Sequence, residues 1–148
     1  MKSIFEKATR DEVIDRIHAL THNNTAQWGK MNLYQMLTHC THWEEMILGK
    51  KQYKRMFLGR LFGKIALKKV LQDEAPLRHS TPTLPELIIK EKDGSIETQK
   101  TEWISRIQKY ETFSNQDFVH VFFGKMSKEQ IGNMVFKHID HHLRQFNG

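Results

Sequence analysis

Cysteine is almost missing from this sequence: Cys40 stands alone among 148 residues. No intrachain disulfide can form, which excludes a secreted scaffold held by bridges, and any metal site must lean on imidazole. Long apolar runs are missing too. None approaches the roughly 20 residues needed to cross a bilayer, and the start, Met1 to Lys7, lacks the apolar stretch of a signal peptide, so a cytoplasmic protein is expected. Proline is scarce, and Pro76, Pro82 and Pro85 fall together in one stretch. Acidic residues are absent between Lys50 and Lys69, whereas Lys50, Lys51, Lys54, Arg55, Arg60, Lys64, Lys68 and Lys69 all lie there.

That cluster accounts for the net charge of +6: the remaining 15 of the 23 Lys and Arg residues face 17 Asp and Glu. The body of the protein is nearly neutral, and one basic segment without stacking platforms or a groove-reading motif does not make a nucleic-acid-binding surface. The 39% hydrophobic and 27% charged content fits a globular chain, and the length fits one domain over residues 1–148 with a core of its own.

Helical periodicity dominates. Thr9 to Glu12 has the form of a capping box, and Val13, Ile14, Ile17 and Leu20 follow at helical spacing, which predicts a first helix over about residues 10 to 21. Asn32 is placed to cap a second helix carrying Leu33, Met36, Leu37, Cys40, Trp43, Ile47 and Leu48, with Gly49 past its end. Residues 54 to 71 read as a shorter amphipathic helix, weakened by Gly59 and Gly63, with its apolar side packed on the protein and its cations in solvent. An anionic membrane surface is the other partner that its Phe and Leu face would suit. The prolines make residues 75 to 90 extended and irregular. Ile96, Trp103, Ile107 and Tyr110 mark a third long helix after Ser95, a loop then holds His120 to Gly124, and Ser127 to Gln130 gives a second capping box that opens the fourth. The expected fold is all-α, a four-helix bundle with a long crossover between its second and third helices.

Three of the nine histidines sit in the last helix. On a wheel started at Ile131, His138 and His142 fall within about 20° of the apolar stripe, one above the other, with His141 at its edge and Asp140 on the solvent side. In the second helix His39 borders the apolar face and His42 lies on the polar side. Two imidazoles at i and i+4 on a buried face, with His39 as the third, form a set that can hold a divalent ion and leave it an open position. A lone core histidine is more often a hydrogen-bonded packing residue, but a stacked pair would need two separate buried partners.

The residues Trp28 to His39, Pro82-Thr83, His120 to Met126 and Lys137 to Phe146 resemble the DinB-like four-helix-bundle superfamily of metal-dependent proteins, and within it a bacterial subfamily with these signatures. The resemblance covers most of the chain. It implies a divalent ion, often zinc or nickel, held by one histidine of the second helix and a His-x-x-x-His pair of the last, which carries over to His39, His138 and His142. The loop that reads His-Pro-Phe-Phe-Gly in relatives has Val121 in place of proline here, and valine does not fix φ as proline does.

His120 is the remaining candidate, as a proton shuttle or as a partner that orients a ligand imidazole, against the plainer role of fixing its own turn. Cys40 reads as a small core residue. Phe57, Phe62, Phe122 and Phe123 with Trp43 and Trp103 could line an apolar pocket, although such sets are usually ordinary core. The expected activity is that of a metal-dependent enzyme acting on a small molecule. Metal-bound hydroxide and thiolate are both open to it. The resemblance favours transfer chemistry with a low-molecular-weight thiol. The absence of a dedicated general base argues mildly against a hydrolase. A binding or stress-response protein with a structural metal is the rival reading, and a homodimer through helical faces is compatible with the pattern.

Overall fold

The computed structural model of the chain describes residues 1–79 and 81–148. Capping chemistry sets the start of both histidine-bearing helices. At the head of α2 (Leu33–Ile47), Asn32 Oδ1 accepts from the Gln35 amide at 2.9 Å while Gln35 Oε1 accepts from the Asn32 amide at 3.1 Å. Ser127 and Gln130 repeat this reciprocal pair at the head of α5 (Lys128–Gln145). Each box satisfies two backbone donors that a helix start leaves without partners. Ser95 caps α4 (Ile96–Gln108), which runs on into a 3₁₀ turn at Lys109–Thr112.

The first helix departs from the sequence reading. It spans α1 (Lys7–Ala19) and starts a turn earlier than the Thr9 box predicts, with Thr9 buried inside it. Tertiary contacts set this boundary: the Ile4 amide donates to the Gly132 carbonyl, and Arg10 Nη1 donates to the carbonyls of Ile4 and Phe5.

Helices α1, α2, α4 and α5 pack pairwise, α2 against α4 and α5, and α1 against the same two. Val13 and Ile17 of α1, Met36 and Leu37 of α2, Trp103 and Ile107 of α4, and Val135 and Leu143 of α5 fill the interior. Between α2 and α4 the chain forms α3 (Phe57–Val70) and a mostly irregular crossover with one 3₁₀ turn at Pro85–Leu87. Apart from the helices, the described residues hold one short antiparallel hairpin, β1 (Val119–His120) and β2 (Gly124–Lys125), in which His120 faces Gly124. The fold is mostly helical, as expected.

Two further local expectations fail. Asp140 does not face solvent: it is buried, bonded to Arg16 of α1 at 2.9 Å and to Arg144 at 2.7 Å. Helix α5 is covered on more sides than a single apolar stripe reveals, so its polar residues meet ionic partners instead of water. Helix α3 is turned the other way round from its expected orientation. Gly59, Gly63 and Leu67 face inward, whereas Phe57, Leu58, Leu61, Phe62 and Ile65 are exposed. Phe57 and Phe62 therefore line no pocket over the histidines. The glycines explain the orientation, because without a Cβ the helix backbone can lie against the Phe122–Phe123 turn: a Cβ on Gly59 would come within 2.5 Å of the Phe122 carbonyl oxygen, and one on Gly63 closer still. Lys137 Nζ then pins the far end of α3 by donating to the Val70 and Ala75 carbonyls at 2.7 and 2.8 Å.

Replacing a mid-helix glycine with alanine ordinarily stabilises a helix by up to about 1 kcal/mol. Gly63→Ala is expected to do the opposite, lowering stability by about 1–3 kcal/mol as α3 is pushed off the turn. Chemical denaturation of the purified variant gives the sign, and a gain in stability would refute this packing.

Candidate metal centre

The capped helices α2 and α5 bring His39, His138 and His142 together. Each is buried, and one ligating atom from each lies within 4.8 Å of the other two. The ring centroids are 5.5 Å apart for His39 and His138, 5.0 Å for His39 and His142, and 4.7 Å for His138 and His142. This is the set that the spacing predicts. His39 is more deeply placed than a border position implies, because the crossover folds over it.

Hydrogen bonds determine which nitrogens are free. His39 Nδ1 lies 3.0 Å from the Leu87 carbonyl, an acceptor only, so that nitrogen carries the proton and Nε2 keeps its lone pair. His142 Nδ1 lies 2.9 Å from Gln145 Oε1. The Gln145 amide cannot be turned round, since its Nε2 donates to the Trp28 carbonyl at 2.7 Å; His142 Nδ1 is thus a donor and its Nε2 is free. Gly29 makes room for this link: it has φ +83°, and a Cβ there would stand 2.7 Å from Gln145 Nε2. His138 differs. Its ring stacks on Trp43 with centroids 3.9 Å apart and 13° between planes, and its Nδ1 is buried without a hydrogen-bond partner among the described residues.

Burial holds all three imidazoles neutral. It lowers His39, carries His138 well below the ordinary histidine value and takes His142 down to about 3, with the neighbouring imidazoles adding to the effect. Three neutral rings, two with Nε2 lone pairs and the third with an orphaned nitrogen, suit a divalent ion whose bonds to histidine are about 2.0–2.1 Å. The donor set therefore fits a metal. It is nitrogen-only and supplies three ligands, fewer than the four of a closed structural site.

His120 is not part of this set. It is buried beside Trp43, 6.5 Å between ring centroids, and its Nδ1 accepts from the amides of Phe122 and Phe123 at 3.1 and 3.2 Å. The turn is held by these bonds, and the proton is placed on Nε2. Val121 is itself buried and accepts from the Met56 amide through its carbonyl. His42 is half-buried outside the triad, and His141 packs against the stacked rings of Trp28 and His79. Cys40 is fully buried and its thiol is pushed well up by burial and by Glu44, which leaves it a packing residue.

Sequence reasoning missed Gln145 and Leu87, and named Trp43 only as a pocket-lining aromatic. Gln145 follows His142 at i+3, a readable helical spacing. Trp43 follows His39 at i+4, but nothing local says it stacks on His138. Leu87 acts through a backbone carbonyl, which leaves no trace in residue type. Glu44 was missed as well: burial raises its carboxyl to about 8, so it is protonated at neutral pH, and Tyr110 Oη donates to it. It is committed to the α2–α4 interface and stands outside the triad.

Burial, with a smaller contribution from Arg55, lowers His120 to about 4, whereas an unfolded histidine titrates near 6.5. Between those values the unfolded chain binds a proton that the folded chain does not. Stability is complete above about pH 6.5 and falls as pH drops toward 4. In metal-free protein, His120→Asn, whose side-chain oxygen can still accept from the turn amides, is expected to flatten this slope by up to about 1.4 kcal/mol per pH unit. Urea melts across that range measure it, and an unchanged slope would show that His120 titrates normally.

No curated protein and no solved structure matches this chain. A family described as a protein of unknown function (DUF1569) matches residues 5–148, nearly the whole sequence, and the chain belongs to that family.

Proposed function

We propose that this protein is a divalent-metal-dependent enzyme with His39, His138 and His142 as its ligands, and that its chemistry is transfer involving a low-molecular-weight thiol. One observation carries the reading: three buried neutral imidazoles converge with Nε2 of His39 and of His142 left free by hydrogen bonds made at Nδ1. The pairwise packing of α1, α2, α4 and α5 supports a four-helix bundle of the DinB-like kind, for which zinc or nickel is the expected ion. When bound, the ion would act as a Lewis acid that lowers the pKa of a thiol or water at its open position.

The chain's own residues supply orientation and exclusion. Leu87 and Gln145 fix the rings of His39 and His142, and Trp43 holds His138 by stacking and keeps that side dry. His120, neutral and with its proton on Nε2, is suited to donating a hydrogen bond near the site and not to taking a proton through Nδ1, which the turn amides occupy. Glu44, protonated and paired with Tyr110, is no base for water, which favours a thiol nucleophile over a hydrolytic one. Metal-dependent hydrolysis is the nearest alternative, and a non-enzymatic binding or stress-response protein with a structural ion is the more distant one.

His138→Ala is expected to abolish stoichiometric zinc or nickel binding while helical content is retained, with His42→Ala as a control that keeps it; metal analysis after dialysis, alongside circular dichroism, reads both. Full occupancy in the His138 variant would defeat the ligand assignment. Gln145→Leu, which removes the acceptor that orients His142, should weaken metal binding about 10–100-fold without abolishing it. Competition against a chromogenic chelator gives that ratio.

The activity itself is tested by conjugation of an electrophile to a panel of small thiols, with metal-loaded protein set against His142→Ala. Metal-dependent turnover that needs the thiol is the expected result. Thiol-independent ester or amide hydrolysis would favour the hydrolase, and no turnover with any thiol would favour the binding protein.

A further inference from the structure

The outward face of α3 is the largest exposed apolar feature among the described residues. Phe57, Leu58, Leu61, Phe62 and Ile65 are each 55–73% exposed. At about 100° per residue they fall within an arc of about 140°, centred opposite Gly59, Gly63 and Leu67, by which the helix sits on the protein. A soluble surface rarely gathers five large apolar side chains into one stripe unless something covers it. Arg60, Lys64 and Lys68 climb one edge of the stripe and Lys69 stands at the other. Arg60, Lys68 and Lys69 have no ion-pair partner among the described residues, and no acid occurs between Glu45 and Asp73.

We propose that α3 is a membrane-docking helix that lies in the headgroup region of an anionic phospholipid surface, its apolar stripe among the upper acyl chains and its cations on the phosphates. The charge pattern selects this occupant. A second copy seated on the same stripe would bring two unneutralised cationic edges together, whereas anionic lipid offers apolar and negative groups side by side. At 14 residues α3 is about 21 Å long, short of the hydrocarbon thickness of about 30 Å, and no described helix is long and apolar enough to span. It lies on the bilayer and does not cross it. The glycine contact adds a structural reason for the orientation, because seating Gly59 and Gly63 on the Phe122–Phe123 turn is what leaves Phe57, Leu58, Leu61, Phe62 and Ile65 pointing away from the protein.

The test is co-sedimentation of the whole protein with extruded vesicles of phosphatidylcholine alone and of phosphatidylcholine mixed with phosphatidylglycerol. Binding to the mixed vesicles is expected to be at least roughly tenfold tighter and to weaken with salt. Leu61→Asp with Phe62→Asp should remove at least roughly nine-tenths of it, and Arg60→Glu with Lys68→Glu should weaken it by more than about fivefold per site. All four side chains point into solvent, so an unchanged thermal transition is expected of both variants and verifies their folding. Failure to bind the mixed vesicles, equal binding to both vesicle types, or binding that survives both pairs of substitutions would overturn the proposal. So would a lipid-free dimer that the Leu61 and Phe62 pair dissolves, or tight RNA binding lost only with the charge-reversed pair.

Discussion

Burying three imidazoles in one place constrains the rest of this molecule. A buried ring nitrogen without a partner is costly, and a protonated one more so. The protein answers with distinct devices. Desolvation keeps the rings neutral, and the partners at Nδ1 depend on distant parts of the chain: His39 has the Leu87 carbonyl of the crossover, and His142 has Gln145, one turn on in α5 and itself held by the Trp28 carbonyl. The crossover must therefore fold back over α2, and the turn at Gly29 must let Gln145 approach. Of the three Nδ1 atoms, that of His138 alone lacks a partner among the described residues, at the point where the three rings meet a stacked tryptophan.

Further layers rest on this one. Trp43 packs against His138 on one side and nears His120 on the other; His120 holds the Phe122 and Phe123 amides; and the resulting turn is the surface on which Gly59 and Gly63 of α3 sit. On the far side of α5, Asp140 joins Arg16 and Arg144 and so fixes α1 against the helix that carries two of the three ligands. An outward helix and an inward triad are thus linked by a short run of packed side chains.

What could be read from residue order alone follows from this arrangement. The Asn32 cap, the Ser127 capping box and the pairing of His138 with His142 are local, and cap residue types and 3.6-residue periodicity expose them. His39 joined the set because a border position on a helix can still turn inward. The orientation of α3 was not legible, because amphipathic periodicity names an apolar face without saying what covers it; the deciding feature is glycine at 59 and 63, which reads locally as helix weakness and acts tertiarily as a contact. Asp140 misled for a related reason, since a wheel counts an ionisable residue as solvated and knows nothing of an arginine on another helix. The true start of α1 likewise depends on Arg10 reaching the carbonyls of Ile4 and Phe5.

The electrostatic character of the interior bears on the proposed chemistry. At neutral pH His39, His138, His142 and His120 are uncharged, Glu44 holds its proton with a pKa of about 8, and burial raises both the Tyr110 hydroxyl and the Cys40 thiol. The one buried carboxylate of α5, Asp140, is already matched by two arginines. A divalent ion held by the triad would find no compensating negative charge among these groups. Charge in a poorly polarisable interior interacts far more strongly than in water, so the ion's full excess of positive charge would favour an anion over a neutral molecule as the remaining ligand. That preference would come from the absence of acids, in the same way that the absence of acids in α3 leaves the edges of its apolar face cationic. With the proposed ion bound, both places would leave positive charge uncompensated, and the partner best suited to each would be one that brings its own negative charge.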